Sequence, residues 1–452
     1  MNRKLVALFA AAGLVLSSGT ANAATIVSPS TQYEVVLENK LLKKISADNM
    51  YKTIELLSKQ PREAGTEGEL KAVKYIEGEF KKLGYKTEIQ PFPIYDFKTN
   101  HVKVKIGDTD LGGTPHAFSG SASGKVTAPL VYVGKAKPEE VGDVKGKIVL
   151  AERGDIAFVD KIKNVLEKGA VGVLMYNNSD DGNTFGQAAE GQNIPAVAIT
   201  KAEGLKLVDQ LKAKELSVTL DVDIEKIEKT SYNVIATKPA TEKKNTGQIV
   251  TVGAHHDSVP GGPGANDDAS GVSAVLELAR LFAKEKTDTE IRFLTFGSEE
   301  RGLVGSSYYA SKLPKADVDK MVAHFQMDMI GGRDAGGDNE AGGLIMYTID
   351  GKKNLVTDLG ATSSYHLFNE VLPYGQLGRS DHQPFHDLGI PSALFIHSPV
   401  EPWYHKPTDT LDKIDKKKLL QVAKIVGSSV YHITDPKTPG IIKYYFEDRA
   451  VD

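Results

Sequence analysis

Acidic and imidazole side chains recur at the ends of candidate strands in the C-terminal half of this chain. Five of them have the types that hold divalent cations: His255, Asp267, Glu300, Asp328 and His405. Glu299 adds a carboxylate next to the third of them. Two imidazoles, three ligating carboxylates and one spare carboxylate are what two hydrated cations and a general base require. The set therefore predicts a metal-dependent hydrolase.

The segment HHDSVPGGPGANDD, residues 255–268, contains the first two of these residues. A strand delivers His255, and a Pro/Gly loop then turns the chain back to Asp267 at the start of a helix. His255 can bind a metal while Asp257 accepts a hydrogen bond from its second ring nitrogen. Asp267 can bridge two ions with its two oxygens. For Asp268, we expect a helix N-cap instead.

Two adjacent glutamates follow a strongly apolar strand in GSEERGL, residues 297–303. Neighbours in an extended chain point to opposite sides, so Glu299 and Glu300 should differ in role. One can bind metal while the other stays free for proton transfer. Taken alone, the same segment would also suit a solvated acidic turn.

The remaining candidates lie further along the chain. Asp328 follows an apolar strand in QMDMIGG, where a buried carboxylate is costly unless it is paired or metal-bound. Tyr404 precedes His405 in WYHKPTDT, and its phenol can donate a hydrogen bond to a developing oxyanion. A surface aromatic is the alternative interpretation of Tyr404.

Strands and helices alternate from residue 232 to 434, which predicts an α/β fold with a mostly parallel sheet flanked by helices. Ligand sites in such sheets form beyond the carboxyl ends of the strands. The expected strands are 249–254, 291–296, 322–328, 344–349 and 393–397, and the expected helices are 270–284, 354–363 and 411–431. We assign residues 46–95 and 230–436 to one discontinuous catalytic domain.

Residues 96–229 differ from the rest of the chain in their sequence pattern, which predicts short apolar strands. None of the five candidate ligands lies in this segment. We interpret the segment as an inserted β-rich domain with a structural or lid role. Residues 24–45 are expected to be a leader or propeptide, and residues 437–452 a C-terminal tail.

The first 23 residues have the pattern of a secretory signal: Arg3 and Lys4, a 12-residue apolar run, and an A-x-A site ending at Ala23. Cleavage after Ala23 would change the formal net charge from −4 to −6 and leave an exported chain without cysteine. The acidic balance argues against nucleic acid and anionic membranes as partners. We therefore expect a secreted, extracellular protein without disulfides.

These motifs resemble those of co-catalytic zinc aminopeptidases of the M28 peptidase family, close to the secreted Bacillus-type enzymes. The resemblance covers nearly the whole mature chain and includes PREAGT, residues 61–66, and GRSDHQPF, residues 378–385. The inserted domain resembles the protease-associated (PA) domain found in many of these enzymes. The resemblance implies a monomer that removes single residues from peptide and protein N-termini.

The resemblance also implies a role for each candidate. His255 and Asp328 would hold one zinc ion, Glu300 and His405 the other, and Asp267 would bridge the two. Glu299 would be the general base, Tyr404 the oxyanion donor, and Asp257 the residue that orients His255. A cis peptide bond between Asp267 and Asp268 is implied as well.

Several other functions use the same family pattern. A metallocarboxypeptidase would need a cationic group for the substrate's α-carboxylate, and Arg379 is a candidate. A glutaminyl cyclase is a further alternative, but that use of the fold keeps one zinc ion instead of two. A non-catalytic receptor-like binding protein should have lost ligands, whereas all five positions are filled here.

Overall fold

The computed structural model describes residues 38–113, 115–180, 182, 193–241, 243, 245–334 and 342–436. The chain forms two compact units. Unit 1 contains residues 95–229, and unit 2 contains the described residues before and after it. The expected signal peptide, residues 24–37 and the tail from 437 lie outside the described residues. Among the helices that are described, none is long and apolar enough to span a membrane.

The strands, in chain order, are β1 (Lys86–Ile106), β2 (Thr109–Asp110), β3 (His116–Ala117), β4 (Gly124–Tyr132), β5 (Ile148–Glu152), β6 (Gly172–Tyr176), β7 (Ala196–Ile199), β8 (Ser217–Lys238), β9 (Ile249–His255), β10 (Glu290–Phe296), β11 (Met321–Met327), β12 (Gly343–Thr348), β13 (Tyr374–Gln376) and β14 (Ser392–Ser398). The α-helices are α1 (Ala47–Leu57), α2 (Glu67–Lys82), α3 (Phe158–Glu167), α4 (Lys201–Leu211), α5 (Ala269–Phe282), α6 (Val304–Lys312), α7 (Lys315–Val318), α8 (Leu355–Phe368), α9 (His382–Asp387) and α10 (Lys416–Thr434).

Unit 2 is built on a mixed sheet with the strand order β13-β12-β14-β11-β9-β10-β8. The central strands β14, β11, β9 and β10 are parallel, and β8 and β12 are antiparallel to their central neighbours. Every residue of β9 and β11 is buried, as expected for parallel strands covered on both faces. The predicted α/β fold, a mostly parallel sheet flanked by helices, is confirmed. The carboxyl ends of β9, β10 and β11 consequently meet at one edge.

Two local predictions differ from the structure. The helix expected over 411–431 is a 3-10 helix, Leu411–Lys413, followed by α10. The break occurs because Asp415 takes an extended conformation and caps α10 through the backbone N–H of Lys417. Strand β13 was not predicted, because three residues carry too little periodicity to identify a strand.

Unit 1 has its own sheet and its own core. Strands β4, β5, β6 and β7 are parallel neighbours, β3 pairs antiparallel with β7, and residues 217–222 of β8 pair antiparallel with β4. Two apolar clusters contain its buried side chains, and the main cluster of unit 2 shares no residue with either. Each unit therefore satisfies its own packing.

The segment 38–45 is packed into unit 2, although it belongs to the stretch expected to be a leader or propeptide. Leu41, Leu42 and Ile45 are buried in the main apolar cluster. The buried carboxylate of Glu38 accepts a hydrogen bond from the Ser428 hydroxyl of α10. The described part of this stretch is therefore part of the folded core.

We predict that Leu42→Ala lowers the free energy of unfolding by about 2–5 kcal/mol, because it removes a buried side chain and leaves a cavity. The matched control is Leu56→Ala in α1, where the leucine is 47% exposed against 2% for Leu42. Urea denaturation of the two variants measures the difference. Equal unfolding midpoints would contradict the assignment of residues 38–45 to the core.

Candidate metal centre

His255 is the last residue of β9 and is paired in register with Phe296, the last residue of β10. Its Nε2 atom lies 3.1 Å from Asp267 Oδ1 and 3.6 Å from Asp328 Oδ1. Its Nδ1 atom lies 3.4 Å from Asp257 Oδ1. The imidazole thus presents one nitrogen to two carboxylates of the candidate set and the other to Asp257.

His405 forms the second half of the cluster. Its Nε2 atom lies 3.0 Å from Glu300 Oε2 and 3.2 Å from Asp267 Oδ2. Asp267 therefore lies between the two imidazoles, with Oδ1 towards His255 and Oδ2 towards His405. All five predicted ligands come together at the strand-end edge of unit 2.

Asp268, the neighbour of Asp267, faces the backbone. It caps α5 by accepting a hydrogen bond from Gly271 N, as predicted for it, and also accepts from His255 N and Met329 N. One buried carboxylate thus holds together β9, the start of α5 and the residue after Asp328. The peptide bond between Asp267 and Asp268 is cis, as the family resemblance implied.

Glu299 and Glu300 have separate surroundings, in agreement with the expectation that they differ. They lie in a turn after β10 rather than in extended chain, so the turn produces the divergence. Asp257 accepts the backbone N–H of Glu299 at 3.0 Å and that of Glu300 at 3.3 Å. Glu300 reaches His405, whereas Glu299 Oε2 lies 4.0 Å from His255 Nε2.

Positive φ angles are concentrated around this site. Ser298, Met329, Arg379 and His405 have φ values of 59°, 53°, 74° and 57°. Left-handed backbone is uncommon for residues other than glycine and is found where surrounding structure enforces it. Ser298 precedes Glu299, Met329 follows Asp328, and His405 is itself a candidate ligand. The backbone is therefore held in unfavourable conformations at the candidate site residues.

Burial and mutual repulsion dominate the electrostatics. Desolvation and neighbouring carboxylates raise the pKa of Glu299 well above its usual value and that of Glu300 to about 7. Desolvation opposes protonation of His405, but its hydrogen bonds to Asp267 and Glu300 raise its pKa to about 10. The carboxylates thus exert a strong attraction for positive charge.

A divalent cation fits this donor set. Glu300 Oε1 and Asp328 Oδ1 are buried and accept no hydrogen bond within the described part of the chain. Donor atoms of His255, Asp267 and Glu300 lie within 4.8 Å of one another, as do those of His255, Asp268 and Asp328. Oxygen and imidazole nitrogen donors at such spacing suit a metal ion better than a structural ion-pair network, because their lone pairs would otherwise stay unsatisfied.

A pocket opens beside the carboxylates and is partly apolar. Its lining includes Asp267, Glu299, Asp328, Met329, Leu377, Gly378, Arg379, Ser380, Leu394, Ile396, Tyr404 and His405. The Tyr404 ring stacks on the His405 ring with centroids 3.7 Å apart. Desolvation and the nearby carboxylates raise the pKa of the Tyr404 phenol, so it remains a hydrogen-bond donor at neutral pH.

Sequence reasoning missed three residues that contact the cluster or its backbone. Ser380 donates to Asp328 Oδ2 at 3.0 Å, and Asp409 accepts the backbone N–H of Asp267 at 3.0 Å. Arg62 donates to the carbonyl next to His255. All three lie in motifs that carried the family resemblance, which was the available signal, but residue type alone does not reveal a contact to backbone.

Comparison with known proteins agrees with this class of fold and identifies its family. The model of peptidase family M28 matches residues 233–430, and the PA domain model matches residues 126–207. The aminopeptidase YwaD of Bacillus subtilis is 35% identical over 97% of this chain and 96% of its own length. The chain therefore belongs to peptidase family M28 and carries a PA domain, which confirms the resemblance.

Solved structures of aminopeptidases agree with this family assignment. An aminopeptidase from Aneurinibacillus sp. strain AM-1 superposes with a TM-score of 0.77 at 51% identity, covering 88% of this chain and 96% of that one. BSAP, a zinc aminopeptidase from Bacillus subtilis, superposes with a TM-score of 0.65 at 35% identity, covering 87% and 96%.

We predict that a divalent cation stabilises the protein, because it offsets the carboxylate repulsion. At a free ion concentration 100 times Kd the gain is about 2.7 kcal/mol. Adding the ion after chelation should raise the Tm in calorimetry, and Asp267→Ala should remove most of that rise. Asp319→Ala, which changes an exposed carboxylate paired with Lys315, is the control. An equal rise in both variants would contradict the assignment.

Proposed function

We propose that this protein is a secreted aminopeptidase that uses two zinc ions to hydrolyse the N-terminal residue from peptides and proteins. The observation that carries the proposal is the position of Asp267, with one carboxylate oxygen towards each of two imidazoles. The relatives support it, since they are named as aminopeptidases and one as a zinc aminopeptidase.

The proposed ligand sets follow the contacts. His255 and Asp328 would hold one zinc ion, Glu300 and His405 the other, and Asp267 both. Zinc supplies a Lewis acid that polarises a carbonyl and lowers the pKa of water. Asp257 orients the site: it faces His255 Nδ1 and accepts the backbone N–H groups of both glutamates.

Glu299 is the proposed general base. It lines the pocket, whereas its neighbour Glu300 contacts His405. Glu299 takes the proton of the attacking water and passes it to the leaving amine. Tyr404, held by stacking on His405, donates its phenolic hydrogen to the oxyanion that develops on the scissile carbonyl.

Glu299→Gln is predicted to keep the metal content and to lower kcat by a factor on the order of 10²–10⁴, the usual contribution of general acid–base catalysis. Elemental analysis and hydrolysis of leucine p-nitroanilide measure the two effects. The control is Glu290→Gln, at the opposite end of β10. Near-normal turnover with zinc bound would reject Glu299 as the base.

The direction of attack is inferred more from the relatives, which are named as aminopeptidases, than from the charges at the pocket, because two zinc ions would neutralise much of the carboxylate charge. Asp267, Glu299 and Asp328 line the pocket and favour a substrate ammonium group, and Arg379 is the one lysine or arginine among its described lining residues. A carboxypeptidase would need a stronger cationic anchor for the substrate's α-carboxylate, because an unpaired buried carboxylate is costly. The family relatives favour the same direction.

Three forms of one peptide test the direction: both termini free, N-acetylated, and C-amidated. We expect acetylation to abolish release of single residues and amidation to leave the rate unchanged, with products identified by mass spectrometry. The reverse pattern would assign the protein as a carboxypeptidase. Absence of hydrolysis of all three, with zinc bound, would favour the receptor-like alternative.

The apolar part of the pocket suggests which N-terminal residues are preferred. Met329, Leu377, Leu394 and Ile396 line one part of it beside the carboxylates. We predict faster cleavage after leucine than after aspartate or lysine. Ile396→Ala should lower kcat/KM for the leucine substrate about tenfold relative to alanine p-nitroanilide, because a smaller side chain leaves part of leucine uncovered. An unchanged ratio would place the side-chain pocket elsewhere.

We further propose that the mature protein begins after Ala23, acts outside the cell as a monomer, and uses peptides rather than nucleic acid or membranes as partners. The acidic balance of the chain supports the last point.

A further inference from the structure

The loop of residues 256–267 connects β9 to α5 and carries the chain from His255 to Asp267. Its shape therefore sets the distance between two of the proposed ligands. The loop contains three glycines and two prolines and forms neither helix nor strand between β9 and α5. Buried backbone groups that the loop does not pair internally need partners outside it.

Arg62 is the partner of three of the loop's carbonyl groups. Its side chain is 1% exposed and donates to His256 O at 2.8 Å, Pro263 O at 2.5 Å and Gly264 O at 2.9 Å. A fourth bond goes to Leu57 O at the end of α1. Both ends of the loop are thus held against one fixed point in unit 2.

Asp409 is the partner of three of the loop's amide groups, all near its C-terminal end. Its carboxylate is buried and accepts Asn266 N at 2.9 Å and Asp267 N at 3.0 Å. Its backbone carbonyl accepts Ala265 N. Asp409 lies four residues after His405, so the segment that supplies one proposed ligand also holds the backbone of another.

The two charges suit this arrangement. A guanidinium group has five N–H donors fixed in one plane and can serve four carbonyls at once, whereas a lysine ammonium has only three N–H donors. A carboxylate accepts several backbone N–H groups at once. Arg62 also offsets the negative charge of four buried carboxylates around it, which are Asp409, Asp257, Asp268 and Asp267.

We propose that Arg62 and Asp409 are positioning residues for the metal centre: together they fix the 256–267 loop so that His255 and Asp267 bind the same ion. This inference rests on the proposed function. The proposed role goes beyond folding, because Arg62 binds the carbonyl of His256, the residue after His255, and Asp409 binds the amide of Asp267 itself. Neither residue touches the reacting atoms.

The test measures zinc affinity in folded protein. Arg62→Lys and Asp409→Asn are made in the full chain, and zinc affinity is measured by competition with a chromophoric chelator, after circular dichroism and the metal-free Tm have shown that each variant is folded. Loss of an outer-shell partner is expected to weaken zinc binding about 10–100-fold. Should Arg62→Lys not fold, the nearly isosteric Asp409→Asn decides.

The control is a matched pair in the same unit, Arg292→Lys and Asp317→Asn, whose side chains bind each other at 2.7 Å away from the loop. These variants should lower the metal-free Tm while keeping zinc affinity within about twofold of wild type. The double variant of Arg62 and Asp409 should lose less affinity than the product of the single losses, because both constrain one loop.

Folded Arg62 and Asp409 variants that bind zinc as tightly as wild type would overturn the inference, since a purely structural role lowers the Tm alone. Failure of the proposed function is recognised separately. In that case wild-type protein itself binds no zinc, or hydrolyses no aminoacyl p-nitroanilide with zinc bound.

Discussion

Mutual repulsion among buried carboxylates is the constraint on which the rest of this structure depends. Asp257, Asp267 and Asp268 lie between β9 and α5, and the residues after β10 and β11 bring Glu299, Glu300 and Asp328 close to this segment. Removing these groups from water disfavours their charged forms, and crowding adds to that cost. Imidazoles and backbone N–H groups offset part of this cost. Asp257 and Asp409 each accept hydrogen bonds from two backbone amides, and Asp268 accepts them from three. The carboxylate oxygens that these partners leave unsatisfied, such as Glu300 Oε1 and Asp328 Oδ1, are available to bind cations.

The parallel sheet makes this crowding possible. Strands β9, β10 and β11 end at the same edge, so loops that are distant in sequence bring side chains to one place. The sheet does not by itself orient them. Orientation comes from the first residues after each strand, where Ser298 and Met329 take left-handed conformations that turn the chain sharply. Such strain persists where the surrounding structure enforces the conformation.

Much of this could be predicted from sequence. Asp328 was identifiable as a candidate ligand because a carboxylate directly after an apolar strand is costly unless it is paired or metal-bound. His255 and Glu300 were identifiable because they come at or after strand ends that were clear from long apolar runs. Asp409, Arg62 and Ser380 were not, because their importance lies in backbone and side-chain contacts between segments far apart in sequence. The short strand β13 and the break before α10 depend on tertiary pairing and on one capping residue, neither of which periodicity detects.

The pair Asp267 and Asp268 shows why residue type and position do not fix a role. Both are aspartates, adjacent and buried, and desolvation alone would raise the pKa of each. For Asp267 the hydrogen bonds to His255 and His405 outweigh desolvation and lower the pKa, so it is a stable anion able to bind cations. Asp268 is desolvated beside Asp328, and its pKa is raised well above the usual value despite the N–H of Gly271. One therefore faces the site as a charge, whereas the other serves the backbone. The division follows from the partners of each carboxylate, which are imidazole nitrogens for Asp267 and backbone N–H groups for Asp268.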